Sequence, residues 1–268
     1  MKFAYGAGAV IVLTTVVFFA VHERLEKNSD SIAPASSGMA GKLAGSAAVS
    51  QSPDYPTPVQ KQSGSAQKSG ERVTTLPLEE LLARNHLSDA FKERIRRNVA
   101  AIQRGEPVAE PGSVPGLDKR IDALKSHFKS LDDVVKTGLT RPPSDVSKTS
   151  LAQGALIGAH VDGTHLPAGW TGLGRVFRDP VLGPVILTEA DLNADNRAQS
   201  LMPTEAINIQ IRGNPGELAM LSDPRSGLSM TKLTWVDKGA GVSYEMLAQG
   251  IDEATKQALG RIAESIEP

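Results

Sequence analysis

The feature that most constrains this 268-residue chain is a run without a single charge, FAYGAGAVIVLTTVVFFAV, at positions 3–21. A helix needs about 20 apolar residues to cross ~30 Å of hydrocarbon, and these 19 come close to that length. Tyr5 near one end, and His22, Glu23 and Arg24 at the other, supply interfacial edges. The competing reading is a cleaved signal peptide, yet a cut after Ala20 would put bulky Phe18 where the peptidase takes a small residue. The run therefore predicts a retained single-pass anchor in residues 1–27 that meets the lipid bilayer through 3–21. The amino terminus and Lys2 stay inside, and everything behind the anchor is exported. The chain contains no cysteine, which removes a lipid-modified anchor, disulfides, thiolate nucleophiles and cysteine-based metal centres.

Residues 28–75 read as a disordered linker. Stretches such as SSGMAGKLAGSAAVSQSPDYPTPVQKQSGSAQKSG have neither a 3.6 nor a 2.0 period and too little apolar surface to offset their ordering entropy. Residues 76–141 are expected to be helical. Pro77 opens LEELLARN, and Ser88 caps DAFKERIRRNVAAIQR, which Gly105 stops. Lys92, Arg94, Arg96, Arg97 and Arg104 read as a solvated helix face rather than a phosphate site. A net charge of -1 gives no global field that would recruit nucleic acid. Leu117, Ile121, Leu124, Phe128, Leu131 and Val135 then follow heptad spacing, predicting one helix over 117–135 that packs on its own domain or on a second copy. Pro142 and Pro143 begin a connector, residues 142–164.

From residue 165 to 268 the pattern predicts strands. Ile207, Ile209 and Ile211 alternate with polar residues, and Gly213–Gly216 make the next turn. MTKLTWV and VSYEMLA form a hairpin around Asp237–Gly241, with Leu233 and Trp235 on one face and Val242, Tyr244 and Met246 on one face. Arg175–Phe177 and Val185–Leu187 add strands, and Asp252 caps a closing helix with Ala254, Ala258, Ile262 and Ile266 on one side. The expected fold class is α+β, a mostly antiparallel sheet packed with a terminal helix. The order of LPAGW, VILTEADL, INIQIRGNPGEL, LTWVDKGAGVSYEML and GRIAESI resembles a small bacterial domain family of unknown function. The likeness is carried by Trp170, Gly213, Trp235, Tyr244 and residues 262–265, and covers about 100 residues. Members lie outside the membrane behind transmembrane helices, some in anti-sigma-factor-like proteins. The resemblance implies an extracytoplasmic module for sensing or protein interaction on the bacterial inner membrane, and it transfers no catalytic residues. The anchor at residues 3–21 leaves no room for a cytosolic sigma-binding region.

His160, Asp162 and His165 in AHVDGTHLP are metal-capable side chains on an expected glycine-containing loop. Glycines 169, 172 and 174 lead into the strand-like RVF rather than a helix, so they read as a turn and not a phosphate cradle. Ser65–Lys68 and Ser229–Lys232 match S-x-x-K without the helix that acylation needs. No catalytic, cofactor-binding or metal residue is assigned. The leading expectation is a non-enzymatic envelope protein whose exported domain binds other envelope proteins. The alternatives are a structural subunit of a membrane-spanning assembly and a metal hydrolase using His160, Asp162 and His165.

Overall fold

A computed structural model describes residues 11–13, 72–84, 87–109, 114, 116–195 and 198–268. Apart from residues 11–13, the expected membrane helix lies outside the described residues, as does nearly all of the 28–75 linker. Of the 3–21 segment only β1 (Ile11–Leu13) is described, as a parallel neighbour of β7 (Gln199–Pro203). On its other side β7 pairs with β2 (Val73–Leu76), a strand that begins inside the stretch expected to be linker. Among the described residues no helix is long and apolar enough to cross a membrane.

The expected helical pair forms. In α1 (Leu78–Arg84) and α2 (Asp89–Gln103), Leu81, Leu82, Ile95 and Val99 are buried against Leu201 and Ala206. Ser88 caps α2 by accepting from the Phe91 N–H at 3.3 Å, satisfying one of the donors a helix start leaves open. Gly105, at φ +66°, takes the left-handed conformation that ends such a helix. The basic residues of α2 and its C-cap are solvated and engaged at the surface: Arg96 pairs with Glu79 at 2.7 Å, Arg104 pairs with Glu106, and Arg94 stacks over Phe91.

The single heptad helix expected over 117–135 is instead two. α3 (Leu117–Leu124) runs into a 3-10 turn at Lys125–His127, Phe128 is extended, and α4 (Leu131–Lys136) starts afresh. The break is built by Ser130, whose Oγ accepts from the Asp133 N–H at 3.1 Å and donates to the Asp133 carboxylate at 2.7 Å. Leu117 and Ile121 are buried, whereas Val135 is 44% exposed, so the stripe does not form one seam.

The main sheet comprises β3 (Val108–Ala109), β4 (Ala155–Leu166), β5 (Gly169–Asp179), β6 (Gly183–Asp191), β8 (Ile209–Ile211), β9 (Asn214–Ser222), β10 (Ser229–Asp237) and β11 (Val242–Gln249). Its order is β3-β9-β10-β11-β6-β5-β4, with β8 also on β9, and every pairing except the parallel β3 is antiparallel. With α5 (Glu253–Ser265) this is an α+β fold with a mostly antiparallel sheet and a terminal helix, as the patterning predicts. The β10–β11 hairpin sets Trp235 opposite Tyr244, their rings stacked at 4.6 Å. The β8–β9 turn is tighter than expected: it is Arg212–Gly213, both at positive φ (51° and 77°), and Asn214 already lies in β9. β4 begins at Ala155, inside the stretch expected to be a connector.

Both faces of the sheet are covered. On one, Leu187, Leu233, Trp235 and Met246 pack against Leu259, Ile262 and Ala263 of α5; of the expected stripe Ala258, Ile262 and Ile266 are buried, Leu259 and Ala263 widen it, and Ala254 alone is exposed. On the other, Val176, Ile186, Ala219 and Leu247 pack under Ile102 of α2 and Leu117 and Ile121 of α3.

Candidate functional site

Chemically the most distinctive region is a buried charge cluster beneath residues 138–149, which cross one end of the α5-side face as a strap. One end of the strap is fixed at β5, where Thr140 N–H donates to the Trp170 carbonyl and Trp170 N–H to that of Gly138. The other is fixed at the carboxyl terminus, where Asp145 and Glu267 exchange backbone bonds of 2.7 and 3.0 Å. The approach at the first end is so close that a Cβ on Gly169 would stand 2.9 Å from the Gly138 carbonyl carbon, and Gly169 itself is at φ +128°.

Beneath the strap, Arg175 and Glu189 are 2% and 4% exposed, with Nη2 and Oε1 2.8 Å apart, near enough for charge pairing though not aligned as a hydrogen bond. Glu189 Oε2 also accepts from the Ser144 N–H at 3.0 Å and lies 3.4 Å from Arg141 Nη1. Ser144 Oγ and the Tyr244 hydroxyl are 2.8 Å apart, and Thr140 donates to Asp191 at 2.8 Å. Burial pushes the Tyr244 phenol above its usual range, the Ser144 bond opposes this, and the Glu189 charge adds to it. The space beside the cluster, lined by Leu139, Arg141, Trp170 and Glu189, is about 10 Å³, room for about one water. The opposite charges face one another, and the Ser144 and Arg141 contacts to Glu189 tie the strap to the sheet.

The sequence carried a signal for this cluster. Glu189 and Asp191 share a face with Leu187, so the alternation of VILTEAD places two acids in phase with the core. Arg141 and Ser144, which complete it, sit in an irregular strap with no period to betray them.

The metal triad does not form. His160, Asp162 and His165 lie on β4, not on a loop, opposite Gly174, Gly172 and Trp170 of β5. The His160 ring stacks on Phe128 at 6.2 Å, the His165 ring meets Trp170 edge-on at 5.1 Å, and Asp162 Oδ1 accepts the Gly163 N–H at 2.7 Å. Among the described residues no three His, Asp or Glu side chains gather as metal ligands do. Gly172 and Gly174 are strand residues of β5, not a phosphate loop. Ser229 and Lys232 are three apart on β10 and so face opposite ways, while Ser65–Lys68 lies outside the described residues.

A second region is an open groove of about 290 Å³ between β8, β9 and α5, lined by Asn208, Ile209, Leu218, Lys256, Gln257 and Gly260. Here Asn208 acts as one more strand residue: its amide donates to the Leu218 carbonyl and accepts the Leu218 N–H, at 2.9 and 2.8 Å. This closes the β9 edge between β8 and β3. No protein-family model matches the chain, and no curated protein and no solved structure matches it.

Proposed function

We propose that the chain is a single-pass envelope protein whose folded unit works by binding another protein on the outer side of the bacterial inner membrane. The observation that carries this reading is the sequence of parts: 19 uncharged residues, a linker-like stretch from Asn28 to Arg72, and a sheet covered on both faces. Two further facts favour recognition over chemistry. The buried ionisable groups of the strap cluster face one another, Arg175 2.8 Å from Glu189 and Glu189 taking the Ser144 N–H, and the groove between β8, β9 and α5 is open and mixed in character, with Ile209 and Leu218 beside Glu253, Lys256 and Gln257.

The groove supplies the test. A photocrosslinking amino acid placed at Gln257 of the full-length protein in intact cells is expected to give one adduct of constant mass. The same probe at Val181, 77% exposed in the β5–β6 turn, is expected to give none. The absence of an adduct at Gln257, or equal adducts from both positions, would contradict the reading. A ladder at multiples of the chain's own mass would favour the assembly-subunit alternative instead.

A further inference from the structure

At the β4 edge of the sheet the link between α3 and α4 makes one isolated bridge, and a phenylalanine of that link meets a histidine of β4 beside it. Lys129 N–H donates to the Ala159 carbonyl at 2.9 Å, and Ala159 N–H to that of Lys129 at 3.0 Å. The residue before, Phe128, lays its ring on His160, with planes 27° apart. Two glycines make the notch: a Cβ on Gly158 would enter the Phe128 ring, and one on Gly174 would enter the imidazole. His160 Nδ1 is buried there with no hydrogen-bond partner.

We propose that the Phe128–His160 stack is a proton-operated clip, in which a neutral imidazole keeps the α3–α4 link seated on β4 and a second proton on the ring unseats it. A neutral ring can leave one nitrogen bare, whereas an imidazolium carries N–H on both and would bury a charge and an unmet donor in an apolar notch. The charged groups around the ring are few. Asp162 on β4 favours the imidazolium, while His127 of the 3-10 turn and Arg120 of α3 oppose it. β5 faces the ring with Gly174 and brings no charge, and Arg120 is itself 3.9 Å from Glu245 of β11. Burial dominates and holds the folded-state value below the ordinary 6.5. Once the link opens, water reaches the ring and the ordinary value returns. The clip is thus at full strength above pH 6.5, and it weakens as pH falls from there to the lowered value. Opening bares the Ala159 N–H and C=O on the terminal strand of the sheet, groups that pair with any added strand. None of this depends on the membrane or partner-binding reading.

Amide exchange in the full-length protein, expressed as protection factors corrected for intrinsic rate, tests the clip. Between pH 7.5 and 5.5 the Ala159 and Lys129 amides are expected to lose protection by up to about tenfold, because each pH unit over which only the open ring is charged multiplies opening by about ten. Amides of β10 and β11 should hold theirs. His160→Phe keeps the stack without the titration and should flatten the response, while His127→Gln should retain it. A flat wild-type profile, an unchanged slope in H160F, or equal loss across the whole sheet would overturn the proposal. Should H160F not fold, a wild-type His160 ring titrating at or above 6.5 by NMR would overturn it equally.

Discussion

Glu189 shows how one residue can link strap, sheet and core. Its carboxylate meets Arg175 and Arg141 and takes the Ser144 N–H, and so ties the sheet to a strap whose Ser144 and Arg141 are 45 and 48 residues away in sequence. A buried charge stripped of its partner costs about 3–5 kcal/mol, whereas replacing both partners with apolar residues is often close to neutral. Glu189→Gln should therefore lower the unfolding free energy, read by urea denaturation, by ~3 kcal/mol or more. The double variant R175M/E189M should lose less than E189Q alone. An E189Q loss under about 0.5 kcal/mol, the size of an ordinary surface change, would mean that the cluster carries no weight. At this scale the sequence was half legible. The in-phase acids of β6 mark a buried polar spot, but their partners in the strap are chosen by tertiary approach. His160 illustrates the opposite error: its spacing from Asp162 and His165 suggests ligands, and only the register against Gly174 and the neighbouring Phe128 reveals a packed ring.

Among the elements, those with strong local signals form where the pattern puts them. Ser88 and Gly105 bound α2, Asp252 caps α5 by accepting the Thr255 N–H at 2.9 Å, and Asp237–Gly241 turns the β10–β11 hairpin. Elements without such signals were missed for physical reasons. β4 has no clean alternation because it is bulged twice and unevenly covered, and β9 opens with Asn-Pro-Gly, residues that read as turn. Lys232 and Thr234 lie 2% exposed on the second face of β10, where a period-two reading expects water. The heptad stripe failed through a cap: S-x-x-D at Ser130–Asp133 outweighs the apolar spacing and starts a new helix. This makes the sign of one substitution decisive. As an N-cap, Ser130→Ala should cost about 1 kcal/mol, read by urea unfolding, with the α4 amides losing exchange protection first. In the middle of an unbroken helix the same change would stabilise by a few tenths of a kcal/mol, since Ala is the better helix former.

For the whole molecule, the linker-like stretch between the charge-bearing residues 22–27 and β2 spans 45 residues, Asn28 to Arg72, while Ile11–Leu13 of the apolar run pair with β7. On the proposed reading of that stretch as a Gly/Ser-rich tether, a chain of that length would have a root-mean-square span of about 35–40 Å, enough to carry a domain clear of a bilayer surface. On the function proposed above, a domain held that way would meet partners within the envelope while remaining attached, which raises their local concentration. The proposed topology puts that domain on the outer side of the membrane. Paired full-length fusions after Pro268 decide it, one to a phosphatase active only outside the cytosol and one to a fluorescent protein that matures only inside, both scored in the carbonate-resistant membrane fraction. An active phosphatase with a dark fluorophore is the predicted result. A bright fluorophore with a silent phosphatase, or a protein released from the membrane fraction, would contradict it.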